Sequence, residues 1–545
     1  MPVKFDNLLQ QIGGFGHYQK ICLSMTSIGA LLMGVASQIV VLVLASPKHN
    51  CAEIEQNSTI ISYNTSITNG NTDSFNSLAE ELDLICDRGA KYKILIETSY
   101  MIGSLAGCLT LYLSDKYGRA LTSFISCLLM GICFNVLPLS GQLPVPLAKL
   151  NSKQFTVYFY SFWNFLLGLS QRFQLMVTYI YTNEITQQSR QSLSGAYTNG
   201  FYPFGAAVMA ILSMFVNDWR DLMRIFGYLA LGYLPFRWYY FEKSPKYLLS
   251  SSPGEEGVQS CYDVMMKIAS KNKQKVWMPN SSSAESDSLS ALNLNQEFML
   301  EQLRQIKQSE SANSTAKSHL KNKSKNIFAF TIIFKSGYYM GRTTVIICYI
   351  WGVTYTIFMG QTLSLGKLPG GLTGSIIIAA SSDLFAAFSY EKLMDLPWLG
   401  RRGTLISANF IVGVCLILKS IVVTNDMIIL TLAFTARIAN YMVWCIIIHY
   451  SNEAYPTEFL ATAIGFLNIM ASFMAVSSPS VLSLKTSVSW ITPSVVFGVA
   501  SLGSSILARY LPETLKSVEN GSHKVVELIT LEDAVDFYED QLGNK

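Results

Sequence analysis

Four ionisable residues stand out within long apolar stretches of this 545-residue sequence: Glu97, Arg172, Asp383 and Arg437. A charged side chain is costly to insert into a lipid-facing helix, so it usually faces a water-filled cavity or an opposite charge. Arg172, Asp383 and Arg437 therefore predict a polar cavity that binds a charged solute. For Arg437, a structural ion pair with Asp383 is the alternative. Glu97 lies close enough to the edge of its stretch to be solvated.

Aromatic residues occur in the same stretches as these charges. Rings bind the apolar bodies of ligands and, through cation–π contacts, their ammonium groups. Ordinary helix packing is the alternative for any single ring, but as a group they predict cavity walls. The aromatic candidates, with Gln361 as a polar contact, are Tyr179, Tyr197, Tyr202, Trp351, Tyr355 and Phe358.

Motifs of enzymes and ATP-driven pumps are missing from the sequence. It contains no Gly-x-Ser-x-Gly elbow, no His-Glu-x-x-His and no Walker loop. Its five histidines are scattered without metal-ligand spacing. We therefore expect no catalysis, no cofactor and no metal, and any transport would use a gradient or the membrane potential. No filter-like repeat indicates a channel either.

The composition is that of a membrane protein. Half of the residues are hydrophobic and only 14% are charged, against about a quarter in soluble domains. A membrane-spanning helix needs roughly 20 mostly apolar residues. Windows of that kind lie at 21–45, 93–113, 120–138, 155–181, 193–215, 222–241, 343–363, 372–391, 403–423, 427–450, 459–483 and 489–510.

These windows predict an all-α membrane protein with twelve transmembrane helices in two six-helix bundles. The net charge of +4 is spread over the loops, so the expected partners are the lipid bilayer and a small solute, not nucleic acid. The predicted regions are an N-terminus at 1–20, a first bundle at 21–242 with an outer loop at 46–92, a largely flexible loop at 243–342 with one short amphipathic helix at 288–306, a second bundle at 343–510 and an acidic tail at 511–545.

Basic residues in the short loops favour a cytoplasmic N-terminus. Both termini would then be cytoplasmic, in a protein we expect at the plasma membrane. The loop at 46–92 would face outward, and it holds glycosylation sequons at Asn57 and Asn64. It also holds Cys51 and Cys86, for which we predict a disulfide on the oxidising side of the membrane.

Three landmarks recur in the same order in the two halves. Asp115-Lys116-Tyr117-Gly118-Arg119 is echoed by Asp395 and Gly400-Arg401-Arg402, Glu184 by Glu453, and Ser244-Pro245-Lys246 by Leu511-Pro512-Glu513. Parallel repeats of this kind build transporters with a central site between two rocking halves. The alternative is that short membrane loops simply favour Gly, Pro and charge.

The repeated loop has an intelligible chemistry. A tight turn needs a residue without Cβ, which Gly118 or Gly400 supplies. An Asp at the end of one helix and an Arg on the next would pair across that turn as part of a gate. The predicted gate comprises Asp115, Lys116, Gly118, Arg119, Glu184, Arg190, Asp395, Gly400, Arg401, Arg402 and Glu453.

Taken together, the motifs resemble solute carrier family 22, the organic ion transporters of the major facilitator superfamily. The resemblance runs nearly end to end and rests on Gly13-Gly14-Phe15-Gly16-His17-Tyr18-Gln19, the gate loop, Asp218-Trp219-Arg220, Ser244-Pro245-Lys246-Tyr247-Leu248, Glu453-Ala454-Tyr455-Pro456-Thr457 and Leu511-Pro512-Glu513-Thr514. It implies alternating access and polyspecific movement of small organic cations, anions or zwitterions. Leu111 and Asn164 depart from the family pattern.

The resemblance also bears on the substrate. Arg172 and Arg437 fall where the family commonly carries a basic residue, and Ser472 falls where cation carriers tend to have Asp and anion carriers Arg. With neither charge at that position, we lean narrowly to a cation or a carnitine-like zwitterion, with Asp383 as the acidic partner. An organic anion remains the alternative, as does a transporter-like receptor or scaffold that does not transport.

Overall fold

The computed structural model describes residues 5–44, 76–82, 84, 87–140, 152–187, 190–251, 254–272, 297–308, 338–368, 372–394, 396, 398–422, 425–455, 460–487 and 492–513. Within these ranges the structure is helical, and its one β contact is an isolated bridge between Asn76 and Asp218. The predicted disulfide of Cys51 with Cys86, the sequons at Asn57 and Asn64, and Asp395 lie outside the described residues.

Twelve helices coincide with the twelve apolar windows. They are α1 (His17–Val43), α2 (Asp87–Leu109), α3 (Arg119–Val136), α4 (Ser152–Ile185), α5 (Gln191–Leu212), α6 (Trp219–Tyr240), α7 (Tyr338–Leu363), α8 (Leu372–Met394), α9 (Gly400–Ile421), α10 (Asp426–Ala454), α11 (Leu460–Ala475) and α12 (Thr492–Ala508). By length and composition alone, six of these helices are apolar enough to cross a membrane: α1, α3, α7, α9, α10, and α11 taken together with the short helix that follows it.

The span predicted at 459–483 is broken rather than continuous. Helix α11 ends at Ala475, and a separate helix resumes over Ser478–Ser487. Pro479 is the second residue of the new helix. A proline ring has no N–H to donate and clashes with the carbonyl four residues earlier, which favours a break in the helix at this point.

The two halves repeat the same helix pairings. In the first half α1 packs on α5, α2 on α4, and α3 on both α4 and α6. In the second half α7 packs on α11, α8 on α10, and α9 on both α10 and α12. The halves meet where α5 packs on α8 and α2 on α11. Because α8 and α11 are the counterparts of α2 and α5, the two contacts between the halves are equivalent.

We call the face where α1 begins and the even-numbered helices end the N-terminal face. A second, smaller hydrophobic cluster lies there, formed by the short helix Phe5–Gln11, the ends of α1 and α4, and helices from the segment after α6. These last are Pro245–Ser251, Gly254–Lys271 and the helical residues 297–308.

Two parts of the segment predicted to be largely flexible, 243–342, are helical in the structure: Pro245–Ser251 and Gly254–Lys271. Helix Gly254–Lys271 buries Val258, Cys261, Met265 and Ile268. That spacing of three and four residues places them on one helix face without making an apolar run. The amphipathic helix predicted at 288–306 has its counterpart at 297–308.

Helices α1 and α5 approach each other backbone to backbone. A Cβ added to Gly205 would overlap the carbonyl of Leu31, and one added to Gly34 would overlap the carbonyl of Tyr202. These glycines therefore let α5 approach α1 closely enough to set the position of Tyr202, which faces the site described below.

We expect Gly205→Ala to destabilise the protein by about 1–3 kcal/mol, because the added methyl forces the two backbones apart. Gly232→Ala on α6 is the matched control, since no atom lies within 4 Å of its would-be Cβ and alanine favours a helix over glycine. Thermal unfolding of the purified variants measures the difference. Equal stability of the two variants would contradict this close packing.

Candidate functional site

A chamber lies between the two halves. Its walls come from α4 and α5 of the first half and from α7, α10 and α11 of the second. The lining residues are Gln171, Arg172, Leu175, Met176, Tyr179, Thr198, Asn199, Tyr202, Trp351, Tyr355, Phe358, Tyr441, Trp444, Ile448, Ile464 and Asn468.

Arg172 supplies the positive charge of the chamber. Its side chain is only 2% exposed, and its Nη2 donates to Oδ1 of Asn468, 3.0 Å away on the other half. The guanidinium carbon lies 4.5 Å from the ring centre of Tyr355 and 5.7 Å from that of Trp444. Among the described residues, its Nε has no hydrogen-bond partner.

No carboxylate balances this charge in the described part of the chain. The ion pairs found there involve other arginines and lysines. A buried cation held by a neutral amide, the Cys108 thiol and aromatic rings remains able to bind an anion. The chamber therefore has a positive character at Arg172.

Aromatic side chains of α7 and α10 form one continuous wall. The ring of Trp444 lies 5.5 Å from that of Trp351 and 5.6 Å from that of Tyr355. Nε1 of Trp351 donates to Oγ of Ser451 at 3.2 Å, which fixes the indole. Such a wall offers large flat faces to the apolar part of a ligand.

Tyr441 joins the wall to the first half. Its ring lies 6.1 Å from that of Phe358, and its hydroxyl donates to the carbonyl of Asn199 at 2.8 Å. This bond crosses between the halves, as does the bond between Arg172 and Asn468. Both bonds must break if the halves separate at this level.

Asp383 and Arg437 form a buried ion pair outside the chamber. Nε and Nη2 of Arg437 each donate to one carboxylate oxygen at 2.8 Å, and the side chains are 4% and 3% exposed. Nη1 donates to Thr362 Oγ1 at 2.8 Å. Of the two alternatives for Arg437, the structure contains the structural pair.

In this conformation the Asp383 carboxylate is occupied by Arg437, so its role as the acidic partner of a substrate stays a prediction. Arg437 and Gln361 line a second, smaller pocket. That pocket is lined by α7, α9, α10 and the turn after α7, all in the second half. It lies near the face opposite the N-terminal face.

The other predicted cavity residues divide by helix face. Tyr179, Tyr202, Trp351, Tyr355 and Phe358 line the chamber. Tyr197 does not, and it is 48% exposed. Thr198 and Tyr202, four residues apart, share the chamber side of α5, whereas Tyr197 is turned about 100° away from Thr198.

Ser472 lies beside the chamber rather than in its wall. It is 1% exposed, and its Oγ is 3.4 Å from Sγ of Cys108 on α2. The contact joins the two halves one helical turn beyond Asn468. Ser472 therefore contributes to the seam between α2 and α11.

The predicted gate of the first half is a compact charge network at the N-terminal face. Arg119 pairs with Asp115 at 2.9 Å and with Glu184 at 3.1 Å. Gly118 has a φ of +91°, which a residue with a side chain rarely adopts. Tyr247 lies 4.8 Å from the Arg119 guanidinium and donates to the carbonyl of Lys116 at 3.2 Å. Arg190 is exposed.

The second half repeats this turn with a different partner. Gly400 has a φ of +63°, and the carboxylate of Glu513 accepts from the backbone N–H groups of Arg401 and Arg402 at 3.0 and 3.2 Å. Nη1 of Arg402 donates to the carbonyl of Leu511 at 3.3 Å. Glu453 lies at the end of α10, and its side chain is outside the described part. In both halves these contacts stay within one half.

Sequence reasoning missed ten of the sixteen lining residues, among them Asn468, Trp444 and Tyr441, whose contacts are described above. A signal was present in α10, where Tyr441, Trp444 and Ile448 recur at helical spacing. Asn468 gave no signal, because an asparagine in an apolar helix does not reveal what it faces. Arg237, also missed, is 1% exposed but bonds to Tyr233 and Ser123 inside the first half.

Both the sequence and the fold are similar to those of known proteins. A sequence profile of the Major Facilitator Superfamily matches residues 92–479. Organic cation transporter 1 of Caenorhabditis elegans is 22% identical over 94% of this chain and 87% of its own length. Solute carrier family 22 member 6 of Danio rerio is 25% identical over 94% and 92%.

Among solved structures, the partially occluded inward-open conformation of the Escherichia coli xylose transporter XylE is similar. The TM-score is 0.59 at 14% identity, covering 91% of this chain and 98% of XylE. At this identity the likeness concerns the fold alone.

Proposed function

The chain belongs to the major facilitator superfamily, and from this premise we propose that its chamber carries small organic ions across a membrane by alternating access, with an anionic group of the substrate bound at Arg172. The prediction of an all-α membrane protein of that superfamily is confirmed. So is the resemblance to solute carrier family 22, which the relatives support. These relatives are transporters, not enzymes.

We infer an anionic group on the substrate from the charge of Arg172, which no carboxylate of the described residues balances. Enclosing a cation without an opposite charge costs several kcal/mol, so a ligand that brings a carboxylate, sulfonate or similar group is favoured there. The unpartnered Nε offers it a further donor. The wall of Trp351, Tyr355 and Trp444 suits an aromatic or aliphatic body attached to that group.

The described conformation is consistent with a chamber that opens toward the N-terminal face. Tyr179, Ile448 and Ile464 extend its lining to within about two turns of that face. Near the opposite face, the turn at Leu365–Lys367 packs on α1 and the helix Ser478–Ser487 packs on α2. We propose that the gate networks of the two halves come together when the halves rock to the other state.

The orientation completes the proposal. With the N-terminal face in the cytoplasm, both termini and the segment 243–342 are cytoplasmic, and the loop 46–92 with its sequons is outside the cell. The basic residues Lys116, Arg119, Arg401 and Arg402 support this orientation. We place the protein in the plasma membrane, with transport driven by a gradient or by the membrane potential.

Uptake of a charge-matched pair into liposomes containing the purified protein tests the proposal. We choose 2-phenylethanesulfonate and 2-phenylethyl-trimethylammonium, because they share an apolar body and carry permanent, opposite charges. Saturable uptake of the sulfonate in preference to the ammonium is expected. Liposomes without protein are the control.

Two other outcomes would contradict it. Preference for the ammonium would favour an organic cation carrier, which the name of the C. elegans relative suggests. Uptake of neither probe, nor of other small organic ions, would favour a transporter-like receptor or scaffold.

A further inference from the structure

Asn468 is the residue that meets the charge of the chamber from the opposite half. It lies on α11, is 1% exposed and lines the chamber. Its Nδ2 donates to the carbonyl of Ile464, one turn earlier, at 2.9 Å. That bond fixes the direction of the amide, so its Oδ1 points to Nη2 of Arg172 at 3.0 Å.

The acceptor that Asn468 offers to Arg172 is neutral. A neutral acceptor holds the guanidinium in place but leaves its full positive charge in the chamber. An aspartate has nearly the same shape, and its carboxylate at the same position would form an ion pair with Arg172 and cancel that charge. Whether the chamber keeps the net positive charge of Arg172 thus depends on one atom of one side chain.

We propose that Asn468 determines the sign of the substrate charge that the chamber accepts. This assignment rests on the proposed function and deepens it. With asparagine at this position, the chamber attracts anions and repels cations. With a carboxylate there, the site for an anionic group is lost, and the aromatic faces of Trp351, Tyr441 and Trp444 become available to an ammonium group without repulsion from Arg172.

A merely structural role for Asn468 gives a different expectation. The bond between Asn468 and Arg172 also joins the two halves, so any substitution that breaks it would then impair transport of both probes alike. Asn468→Ala removes the bond but leaves the charge of Arg172 intact. It therefore separates loss of a contact between the halves from a change of charge.

Asn409 provides a matched control for the introduced carboxylate. It lies on α9, is 2% exposed, and its Nδ2 donates to the carbonyl of Leu405, one turn earlier, at 2.9 Å. Asn409 thus matches Asn468 in burial and in its hydrogen bond to the preceding turn. Unlike Asn468, it does not line the chamber and does not contact Arg172. Asn409→Asp adds the same group at similar burial without touching Arg172.

The experiment measures uptake of 2-phenylethanesulfonate and 2-phenylethyl-trimethylammonium into liposomes, per amount of folded protein. For Asn468→Asp we expect sulfonate uptake to fall roughly 10- to 100-fold through a raised KM, the size expected for losing a hydrogen bond to a charged group. Ammonium uptake should rise above that of sulfonate. Asn468→Ala and Asn409→Asp should keep the wild-type preference for the sulfonate.

Each contrary result has a distinct meaning. If the wild type prefers the sulfonate and folded Asn468→Asp does too, the assignment of Asn468 is wrong while the proposed function stands. Equal losses for both probes in Asn468→Asp and Asn468→Ala also overturn it in favour of a structural contact. A wild type that transports neither probe, or prefers the ammonium, contradicts the proposed function itself. Should Asn468→Asp not fold, Asn468→Glu introduces the same charge and has the same expected result.

Discussion

Replacing Arg172 by glutamine is expected to reduce uptake of an organic anion roughly 10- to 100-fold, the equivalent of the 1.5–3 kcal/mol typical of a hydrogen bond to a charged group. Glutamine can still contact Asn468 but brings no charge to the chamber. We expect the loss to appear mainly as a raised KM. Uptake of 2-phenylethanesulfonate over a range of concentrations measures it.

Arg172→Lys is the matched control for this variant. Lysine keeps the charge but not the planar group that presents several donors at once, so uptake should fall less than with glutamine. Because Arg172 is buried between rings, the amount of folded protein must be compared as well. Sulfonate uptake by Arg172→Gln equal to that of the wild type would show that the anion binds elsewhere.

Replacing Asp383 by asparagine is expected to destabilise the protein by about 3–5 kcal/mol, because it leaves Arg437 buried without its partner. Both residues are at most 4% exposed on their side chains and joined by two bonds of 2.8 Å. Thermal unfolding of the purified variant measures the change. The neighbouring Thr362 still accepts from Arg437 but carries no charge.

The double variant Asp383→Asn with Arg437→Gln is the control for this effect. It removes both charges, so we expect it to regain most of the lost stability. Its preference between the two charged probes should match that of the wild type, since the pair lies outside the chamber. If Asp383 instead binds the substrate, the double variant will lose transport of the ammonium probe without a change in the sulfonate.

The general architecture could be predicted from the sequence because lipid imposes a simple rule on it. Each spanning helix must be apolar over about 20 residues. The windows marked on this basis coincide with twelve helices of the structure, six of which are apolar enough to cross a membrane by length and composition alone. The same rule made Arg172 conspicuous, since a charge in such a stretch needs a reason. The gate turn could also be predicted from the sequence, because Gly118 and Gly400 supply a backbone conformation that other residues avoid.

The details of the site depended on contacts between helices that are distant in sequence. The alternatives for Arg437 could be separated only once α8 and α10 were seen to pack together and bring Asp383 within 2.8 Å. Tyr197 and Tyr202 looked equivalent as aromatic residues of one helix, yet only one faces the chamber. The orientation of a helix face is decided by its neighbours, and periodicity within α5 alone did not reveal it.

The helices in the segment after α6 could not be predicted from the composition of that segment. Its apolar residues are too few for a membrane helix, and the sequence alone predicts a largely flexible loop. They nevertheless pack with Leu8, Ile12 and Tyr181 in a cluster at the N-terminal face. An amphipathic helix becomes stable through such packing and not through its own composition, so its partner had to be known first.

The central claim is that a water-filled chamber between the two halves binds the substrate. Labelling of Met176→Cys by a water-soluble methanethiosulfonate reagent tests it most directly, because Met176 lines the chamber. Leu229→Cys, on the 47% exposed outer side of α6, is the lipid-facing control, and the wild-type protein sets the background. We predict that Met176→Cys is labelled, that 2-phenylethanesulfonate protects it, and that Leu229→Cys is not labelled. Failure of the reagent to reach Met176→Cys from either side of the membrane would contradict the account.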